Sequence, residues 1–286
     1  MGLTIKELVR IGGQLLKSGG VENADNDAEA LLGFEVGFDK QKMFMNRTYE
    51  VDDARSDAYF DLVNRRAAGE PLQYITGEQY FMGHRFGVDP SALIPRPETE
   101  ALAEMAIAFL NAQAGAKTAL DLCTGSGALA VSVAKACPRA RITASDISTQ
   151  ALYVAIRNAR DLDVFGRIDF VESDLFASIK SGAFGKKFDL IMTNPPYIRT
   201  GDLAGLQREI ACHEPAAALD GGADGLDFYR RIAARARAYM RDEGCIIMEI
   251  GHDQARDVSA VFEAEGFKIA EVAQDLAGLD RIVTAF

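Results

Sequence analysis

The chain has 286 residues, enough for one large domain or two ordinary domains with cores of their own. Its 48% hydrophobic and 26% charged residues are typical of a soluble globular protein, and no apolar run approaches the roughly 20 residues that cross a bilayer. The formal net charge of −11 counts against tight nucleic-acid binding, which depends on Lys and Arg contacts to phosphates, and favours a basic protein partner.

The four cysteines are scattered, and none forms a C-x-x-C pair. This pattern predicts reduced thiols in a cytoplasm rather than a disulfide framework. None of the three histidines stands at metal-ligand spacing from a cysteine, so no metal centre is expected. The N-terminal segment has no secretory apolar region, and we expect a cytoplasmic monomer that contacts neither a membrane nor nucleic acid directly.

The first part of the chain is predicted to be helical. Apolar residues recur at helical spacing between residues 3 and 69, and we assign residues 1–72 to a small helical domain. Recognition of a substrate protein is the sharper hypothesis for this domain, and simple structural support is the alternative. Residues 73–90 contain aromatic residues separated by turn glycines, which predicts a hairpin linker.

Residues 91–286 are predicted to form an α/β domain. A proline-rich segment, 93–100, leads into a helix over 101–110; it is either a rigid lead-in or part of the active site. Strands are predicted at 118–122, 141–145, 168–171, 188–193, 245–250 and 281–286, with helices through 136 and at 149–161, 228–240 and 253–265. This alternation predicts a mainly parallel sheet with helices on both faces and a ligand at the carboxyl ends of the strands.

The ends of the first three strands carry residues suited to a nucleoside ligand. Gly125 and Gly127 follow the first strand and allow the backbone to approach a ligand closely. Asp146 follows the second strand, where a carboxylate can accept both hydroxyls of a ribose. Asp174 follows the third strand and can accept a hydrogen bond from an adenine amine. Next to it, Leu175 and Phe176 offer an apolar wall.

Two cofactors are compatible with these residues. The spacing of Gly125, Gly127 and Ala130 also satisfies the dinucleotide fingerprint, so a nicotinamide dehydrogenase is one alternative. No set of residues in the chain suits hydride transfer, however. S-adenosylmethionine has an adenine, a ribose and a carboxylate that these positions can receive, and its sulfonium methyl would face Asn194. We therefore favour S-adenosylmethionine, with S-adenosylhomocysteine as product.

The predicted strand 188–193 runs into Asn194, Pro195, Pro196 and Tyr197, a stiff loop that exposes one side-chain amide and free carbonyls. The oxygen of Asn194 and the carbonyl of Pro195 can each accept one N–H of a planar amine or amide. That contact would direct the nitrogen lone pair towards an electrophile and stabilise the charge that grows on nitrogen. Tyr197 can stack on the planar group. The alternative is a plain turn that ends a strand.

Four segments together resemble the peptide-chain-release-factor glutamine methyltransferases of the HemK/PrmC type. They are 94–100 (IPRPETE), 121–127 (DLCTGSG), 194–197 (NPPY) and 214–226 with its Glu-Pro and Gly-Gly-x-Asp-Gly-Leu. The resemblance implies a Rossmann-like class I S-adenosylmethionine-dependent methyltransferase sheet with a small N-terminal helical bundle joined by a β-hairpin. It also implies methylation of the glutamine side-chain amide in the Gly-Gly-Gln motif of class 1 release factors.

The resemblance assigns roles to residues position by position. The cofactor would be held by Cys123, Thr124, Gly125, Ser126, Gly127 and Asp146, with Leu175 beside the adenine, and the glutamine amide by Asn194, Pro195, Pro196 and Tyr197, of which Asn194, Pro195 and Tyr197 would be catalytic. Asp174 and Asn194 are added to the predicted cofactor site because of their positions after the third and fourth strands. Family members usually have glycine at the position of Cys123, and some have tryptophan at that of Leu175. A slightly altered turn and weaker adenine stacking are therefore expected.

Three alternatives to this function remain. A similar enzyme can methylate a glutamine of a ribosomal protein, and more distant ones methylate adenine or guanine amines of nucleic acids. The acidic charge and the Pro-Arg-Pro segment count against a nucleic-acid substrate. A cofactor-binding module without catalytic activity is the third alternative, against which the intact Asn194 and Tyr197 argue.

Overall fold

A computed structural model describes residues 2–112, 115–179, 187–275 and 277–286. Contacts divide this chain into two compact units. The first runs to Glu78 and also includes Gln207–His213; the second comprises Gln79–Leu206 and Glu214–Phe286. The segment Gln207–His213 clusters with the first unit although it lies inside the range 91–286 that we predicted as one domain.

The first unit is a bundle of helices. Its N-terminal part contains α1 (Ile5–Ser18), α2 (Ala24–Val36), α3 (Lys40–Met45), α4 (Asp53–Ala67) and α5 (Leu72–Thr76). Side chains that accept hydrogen bonds from the first free backbone amides begin three of these helices: Thr4 in a capping box, Asp39 and Asp52. Apolar residues at helical spacing form its core, including Leu8, Leu16, Leu31, Leu32, Tyr59 and Val63.

The hairpin that follows is shorter than predicted. Residues 73–76, which we predicted as part of the hairpin linker, belong to α5, which begins after Pro71 and ends at Gly77 in the left-handed conformation. The hairpin itself consists of β1 (Glu78–Phe81) and β2 (His84–Gly87). Its two buried aromatic residues, Phe81 and Phe86, pack with their ring centroids 6.0 Å apart.

The second unit is built on a seven-stranded sheet. Its strands are β3 (Lys117–Leu122), β4 (Ala140–Asp146), β5 (Ile168–Glu172), β6 (Phe188–Thr193), β7 (Met240–Glu249), β8 (Ile269–Gln274) and β9 (Asp280–Ala285). They are arranged in the order β5-β4-β3-β6-β7-β9-β8. The first five are parallel, and β9 is antiparallel to both of its neighbours. The predicted α/β class is confirmed, while β8 was not predicted.

Helices α6 (Glu98–Ala112), α7 (Ala128–Ala136), α8 (Thr149–Asp161), α10 (Asp227–Tyr239) and α11 (Ala255–Ala264) belong to the same unit, and α9 (Arg208–His213) belongs to the first unit. Buried side chains form a separate core on each face of the sheet, so that Ala119 and Leu120 of β3 enter different cores. None of the helices in the described ranges has both the length and the apolar character of a membrane span.

This topology determines where a ligand can bind. The strand order reverses between β3 and β6, and the carboxyl ends of the five parallel strands lie along one edge of the sheet. In such sheets the crevice outside the strand ends at the reversal is the usual ligand site. A ligand is therefore expected to contact the residues that follow β3 to β7.

Candidate active site

The turn between β3 and α7 is held by a buried carboxylate. Asp121 is only 1% exposed, and its Oδ2 accepts hydrogen bonds from Thr124 Oγ1 at 2.6 Å and from the Ala130 amide at 3.1 Å. Burial raises the pKa of Asp121 to about 7, while both hydrogen bonds favour the ionised form. Asp121 thus joins the strand end to the first turn of the helix. The sequence motif 121–127 includes Asp121, but the sequence alone predicts no role for it.

The predicted glycines and Asp146 lie together in the structure. Asp146 Oδ2 accepts a hydrogen bond from the Gly125 amide at 2.9 Å, and Oδ1 accepts one from the Ser148 amide at 2.9 Å. Gly127 has φ of +79°, and a Cβ placed on it would lie 2.8 Å from the Cβ of Ala155. Close packing of α7 on α8 therefore requires glycine there. Burial raises the pKa of Asp146 above its usual range.

Two departures from the family pattern lie at unusual backbone positions. Cys123 has φ of +58° and Leu175 has φ of +49°, both in the left-handed region that favours glycine. The glycine expected at position 123 would adopt this conformation without strain, so cysteine makes the turn more strained. Leu175 is buried, and its carbonyl accepts a hydrogen bond from Ser173 Oγ at 2.7 Å.

The remaining residues of the predicted cofactor site follow β3 and β5. Asp174 is half exposed and forms an ion pair with Arg231 at 2.6 Å. Phe176 is buried and stacks on Tyr239 with 4.6 Å between ring centroids. Ser126 is buried, and its carbonyl accepts a hydrogen bond from Asn158 Nδ2 at 2.8 Å.

This set of residues fits S-adenosylmethionine. Carboxylates at the ends of β4 and after β5 can accept hydrogen bonds from hydroxyl and amine groups, and the glycine turn at α7 lacks side chains that would fill the space beside it. The buried side chains of Leu175 and Phe176 supply an apolar surface. Within the described ranges, no cluster of three or more His, Cys, Asp or Glu side chains is arranged to hold a metal ion.

The loop of Asn194, Pro195, Pro196 and Tyr197 begins where β6 ends. Thr193 closes the strand by donating its hydroxyl to the Leu122 carbonyl at 2.9 Å. The two prolines are buried, whereas Asn194 and Tyr197 are half-buried. Asn194 Nδ2 donates a hydrogen bond to Thr99 Oγ1 at 3.2 Å. For the described residues, the structure records no hydrogen-bond donor to Asn194 Oδ1 or to the Pro195 carbonyl, so both oxygens can accept from a ligand.

A buried glutamate lies behind this loop. Glu249, at the end of β7, is 1% exposed and accepts hydrogen bonds from Thr99 Oγ1 at 2.6 Å and from the Tyr197 hydroxyl at 3.4 Å. Its backbone carbonyl accepts a hydrogen bond from the Tyr229 hydroxyl at 2.8 Å. Sequence reasoning gave no role to Thr99 or Glu249, because they are 150 positions apart and no spacing rule connects them.

The glycine-rich segment after residue 220 packs directly on the loop. A Cβ on Gly221 would lie 2.7 Å from Tyr197 Cα, and a Cβ on Gly225 would lie 2.4 Å from the Tyr197 carbonyl oxygen. Gln254, which is 2% exposed, donates from Nε2 to the carbonyls of Tyr197 at 3.0 Å and Gly225 at 3.3 Å. Gln254 was missed, since a single glutamine carries no sequence signal.

The close approach at Gly225 can be tested against a glycine with the same backbone conformation. Gly225 and Gly266 have φ of +76° and +80°, but a Cβ on Gly266 would meet no atom within 4 Å. Both alanine variants carry the left-handed strain, and only Gly225→Ala displaces the Tyr197 backbone. We expect Gly225→Ala to lower the free energy of unfolding by about 1–3 kcal/mol more than Gly266→Ala. Equal losses in urea denaturation would show that the loop yields without cost.

The proline-rich segment before α6 is tied to the second half of the unit. Glu214, whose side chain is 1% exposed, accepts hydrogen bonds from Arg96 and, through Oε2 at 3.3 Å, from the Ile94 amide. The same segment leads to Thr99, which contacts Asn194. Of the two interpretations of residues 93–100, a contribution to the active site therefore agrees better with the geometry than a simple helix lead-in.

Comparisons with known proteins cover both units. Residues 7–77 match the family described as PrmC N-terminal domain, and residues 101–223 match the family described as Methyltransferase small domain. A "Release factor glutamine methyltransferase" of Geobacter sulfurreducens is 41% identical over 280 residues, covering 98% of this chain and 95% of that protein. The protein of the same name in Clostridium acetobutylicum is 37% identical over 283 residues, covering 99% of this chain and 98% of that protein.

Solved structures show the same fold. A methyltransferase from Pyrococcus furiosus aligns with a TM-score of 0.52 over 81% of this chain and 98% of that chain. The two sequences are only 14% identical, so this similarity concerns the fold alone.

Proposed function

Because this chain belongs to the release factor glutamine methyltransferase family, we propose that it methylates the glutamine side-chain amide in the Gly-Gly-Gln motif of class 1 release factors. Membership makes it an S-adenosylmethionine-dependent protein glutamine N-methyltransferase. The observation that carries the proposal is the orientation of Asn194. Its side-chain nitrogen donates a hydrogen bond to Thr99 Oγ1, while its side-chain oxygen is available to an incoming N–H group.

The cofactor would be held by the residues after the first three strands. These are Cys123, Thr124, Gly125, Ser126, Gly127, Asp146, Asp174 and Leu175, with Asn194 next to the reacting methyl group. When bound, S-adenosylmethionine supplies an electrophilic methyl group on a sulfonium sulfur. Asp146 is the natural acceptor for the ribose hydroxyls, because it is already fixed by two backbone amides that leave lone pairs on each oxygen.

The Asn194 loop would prepare the substrate nitrogen. An amide nitrogen is a poor nucleophile because its lone pair is delocalised into the carbonyl. Hydrogen bonds from its two N–H groups to Asn194 Oδ1 and the Pro195 carbonyl would orient that lone pair and stabilise the positive charge in the transition state. Tyr197 would contact the planar amide with its ring face. Both prolines lack N–H groups, so the loop presents acceptors on this side.

No dedicated base is required for the proton that is lost. The N-methylated amide is strongly acidic while it is still cationic, so water can take its proton. The buried Glu249 already accepts hydrogen bonds from Thr99 and Tyr197, one with each carboxylate oxygen. We also propose that the methyl group passes directly to the nitrogen, without a covalent enzyme intermediate.

The partner would be a class 1 release factor, and the helical unit is the candidate for binding it. The formal net charge of −11 supports a protein partner with a basic surface rather than a nucleic acid. We further propose that the enzyme acts as a monomer.

The direct test is incubation of the purified protein with methyl-labelled S-adenosylmethionine and a recombinant release factor. A copy of the release factor with its Gly-Gly-Gln glutamine changed serves as the control. We expect a mass gain of one methyl group on that glutamine alone. Label on a ribosomal protein or on nucleic acid instead would keep the chemistry and overturn the substrate.

Cofactor binding is expected to depend more on Asp146 than on Asp174. Asp146 is fixed by the Gly125 and Ser148 amides, whereas Asp174 is half exposed and already paired with Arg231. Hydrogen bonds to a charged group are worth about 1.5–3 kcal/mol, so Asp146→Ala should weaken S-adenosylmethionine binding about 10–100-fold. Asp174→Ala should have a smaller effect. Isothermal titration calorimetry measures both, and equal dissociation constants for wild type and Asp146→Ala would contradict the assignment.

A further inference from the structure

The orientation of the Asn194 amide is critical to the proposed function. An asparagine side chain presents an acceptor oxygen and a donor NH2 group, and rotation by half a turn exchanges them. If the NH2 group faced the substrate amide, donor would face donor, and the nitrogen lone pair would not be directed. Something in the structure must therefore select one orientation.

A chain of hydrogen bonds behind Asn194 has the required polarity. Thr99 Oγ1 has one proton, and it donates that proton to Glu249 Oε2 at 2.6 Å. While the Glu249 carboxylate is ionised it can only accept, and this fixes the direction of the hydrogen bond. The Thr99 oxygen is then left as an acceptor, and the group it meets at 3.2 Å is Asn194 Nδ2. The Asn194 oxygen must consequently point the other way.

Tyr197 contacts the other carboxylate oxygen of Glu249. Its hydroxyl donates to Glu249 Oε1 at 3.4 Å, so the same carboxylate accepts hydrogen bonds from Thr99 of α6 and from Tyr197 of the Asn194 loop. Thr99 and Glu249 are 7% and 1% exposed, and water therefore does not compete for these hydrogen bonds. On this geometry we propose that Thr99 and Glu249 are positioning residues that hold the Asn194 amide with its oxygen towards the substrate, an inference that rests on the proposed function of Asn194.

The protonation state of Glu249 is part of this arrangement. Burial raises its pKa to about 7, against the hydrogen bonds from Thr99 and Tyr197 and the charge of Arg281 on β9, while Glu98 on α6 raises it further. Tyr229 on α10 also faces it, with its hydroxyl on the Glu249 carbonyl. A protonated Glu249 can donate to Thr99, which then can donate to Asn194 Oδ1, so acidification reverses the polarity of the chain.

A measurement without substrate tests the orientation. In protein labelled with ¹⁵N-asparagine, the Asn194 side-chain signal is identified by its loss in Asn194→Ala. Exchange of its NH2 protons with water should be about tenfold faster in Thr99→Val, which removes the hydroxyl at nearly constant shape, and within about twofold of wild type in Thr99→Ser. Equal exchange in all three proteins would overturn the proposal.

Kinetics provide the second test. With saturating cofactor and release factor, Thr99→Val should lower kcat about tenfold, with less than about twofold change in KM or in the dissociation constant of S-adenosylmethionine. Thr99→Ser should retain nearly full kcat. A Thr99→Ser enzyme as impaired as Thr99→Val would show that Thr99 matters for packing and would contradict a positioning role.

The pH profile separates this role from cofactor binding. Wild-type kcat at saturation should rise as pH increases through about 7, as Glu249 ionises, and this rise should be absent in Glu249→Gln, whose amide oxygen still accepts from Thr99. If kcat of Glu249→Gln rises with pH as in wild type, the rise does not come from ionisation of Glu249, and its positioning role is rejected.

Transfer that is lost in Asn194→Ala but normal in Thr99→Val would reject the positioning role and keep the proposed function. If wild type fails to methylate the release factor, the proposed function is wrong, and the exchange measurement still decides the orientation.

Discussion

Replacement of Asn194 by alanine is expected to lower kcat for methylation of the release factor glutamine about 10²–10³-fold, the usual loss when one preorganised group that stabilises transition-state charge is removed. Asn194 supplies an oxygen with no other recorded donor among the described residues, held in place through Thr99. In the proposed mechanism, alanine at this position would leave the substrate amide with one acceptor, the Pro195 carbonyl. Because the contact with Asn194 would form in full only as charge grows on nitrogen, the loss should appear in kcat rather than in binding.

The control is Asn111→Ala, the same substitution at the exposed end of α6. It should leave kcat within about twofold of wild type, because exposed polar substitutions rarely propagate. Thermal unfolding of Asn194→Ala establishes that the protein is folded, and calorimetry with S-adenosylmethionine establishes that the cofactor site is intact. Retention of wild-type kcat by Asn194→Ala would remove the amide-holding loop from the mechanism.

The parts of the fold that could be predicted are those with a local pattern. All six residues of β6 are buried, and such a largely apolar run that stops just before two prolines indicates an interior strand. β8 has no fully buried residue, because it lies at the edge of the sheet, so its sequence carries no comparable pattern. The short helix α5 was not predicted because Tyr74 and Ile75 are residue types that favour strands.

The predictable part of the site has the same limit. Asp146 and Asn194 stand directly at strand ends, and topology alone brings strand ends together. Contacts between distant segments depend on how a helix is rotated and on where a loop crosses it. The hydrogen bonds of Thr99 to Glu249 and of Gln254 to Tyr197 are of this kind, and no spacing in one sequence encodes them.

A buried ion-pair cluster in the helical unit was also beyond sequence reasoning. Arg66 on α4 donates from Nε to Asp27 at 2.8 Å and from Nη1 to Glu209 at 2.5 Å and to the Glu70 carbonyl at 3.1 Å. The side chains of Arg66 and Asp27 are both only 10% exposed. Through Glu209, this arginine attaches α9, which follows the Asn194 loop in sequence, to the helices of the first unit. The preceding residue, Arg65, instead pairs with Glu70 near the surface.

These adjacent arginines allow a matched comparison. Arg66→Met should lower the free energy of unfolding by about 3–5 kcal/mol, because Asp27 is left buried without its partner. Arg65→Met should cost no more than about 1 kcal/mol, since an exposed ion pair contributes little. Urea denaturation followed by circular dichroism measures both. In the double variant Arg66→Met with Asp27→Leu, removal of the stranded carboxylate should recover much of the loss. Equal free energies of unfolding for Arg66→Met and Arg65→Met would show that the ion pair of Arg66 with Asp27 does not stabilise the helical unit. Contacts other than those of Arg66 would then have to attach α9.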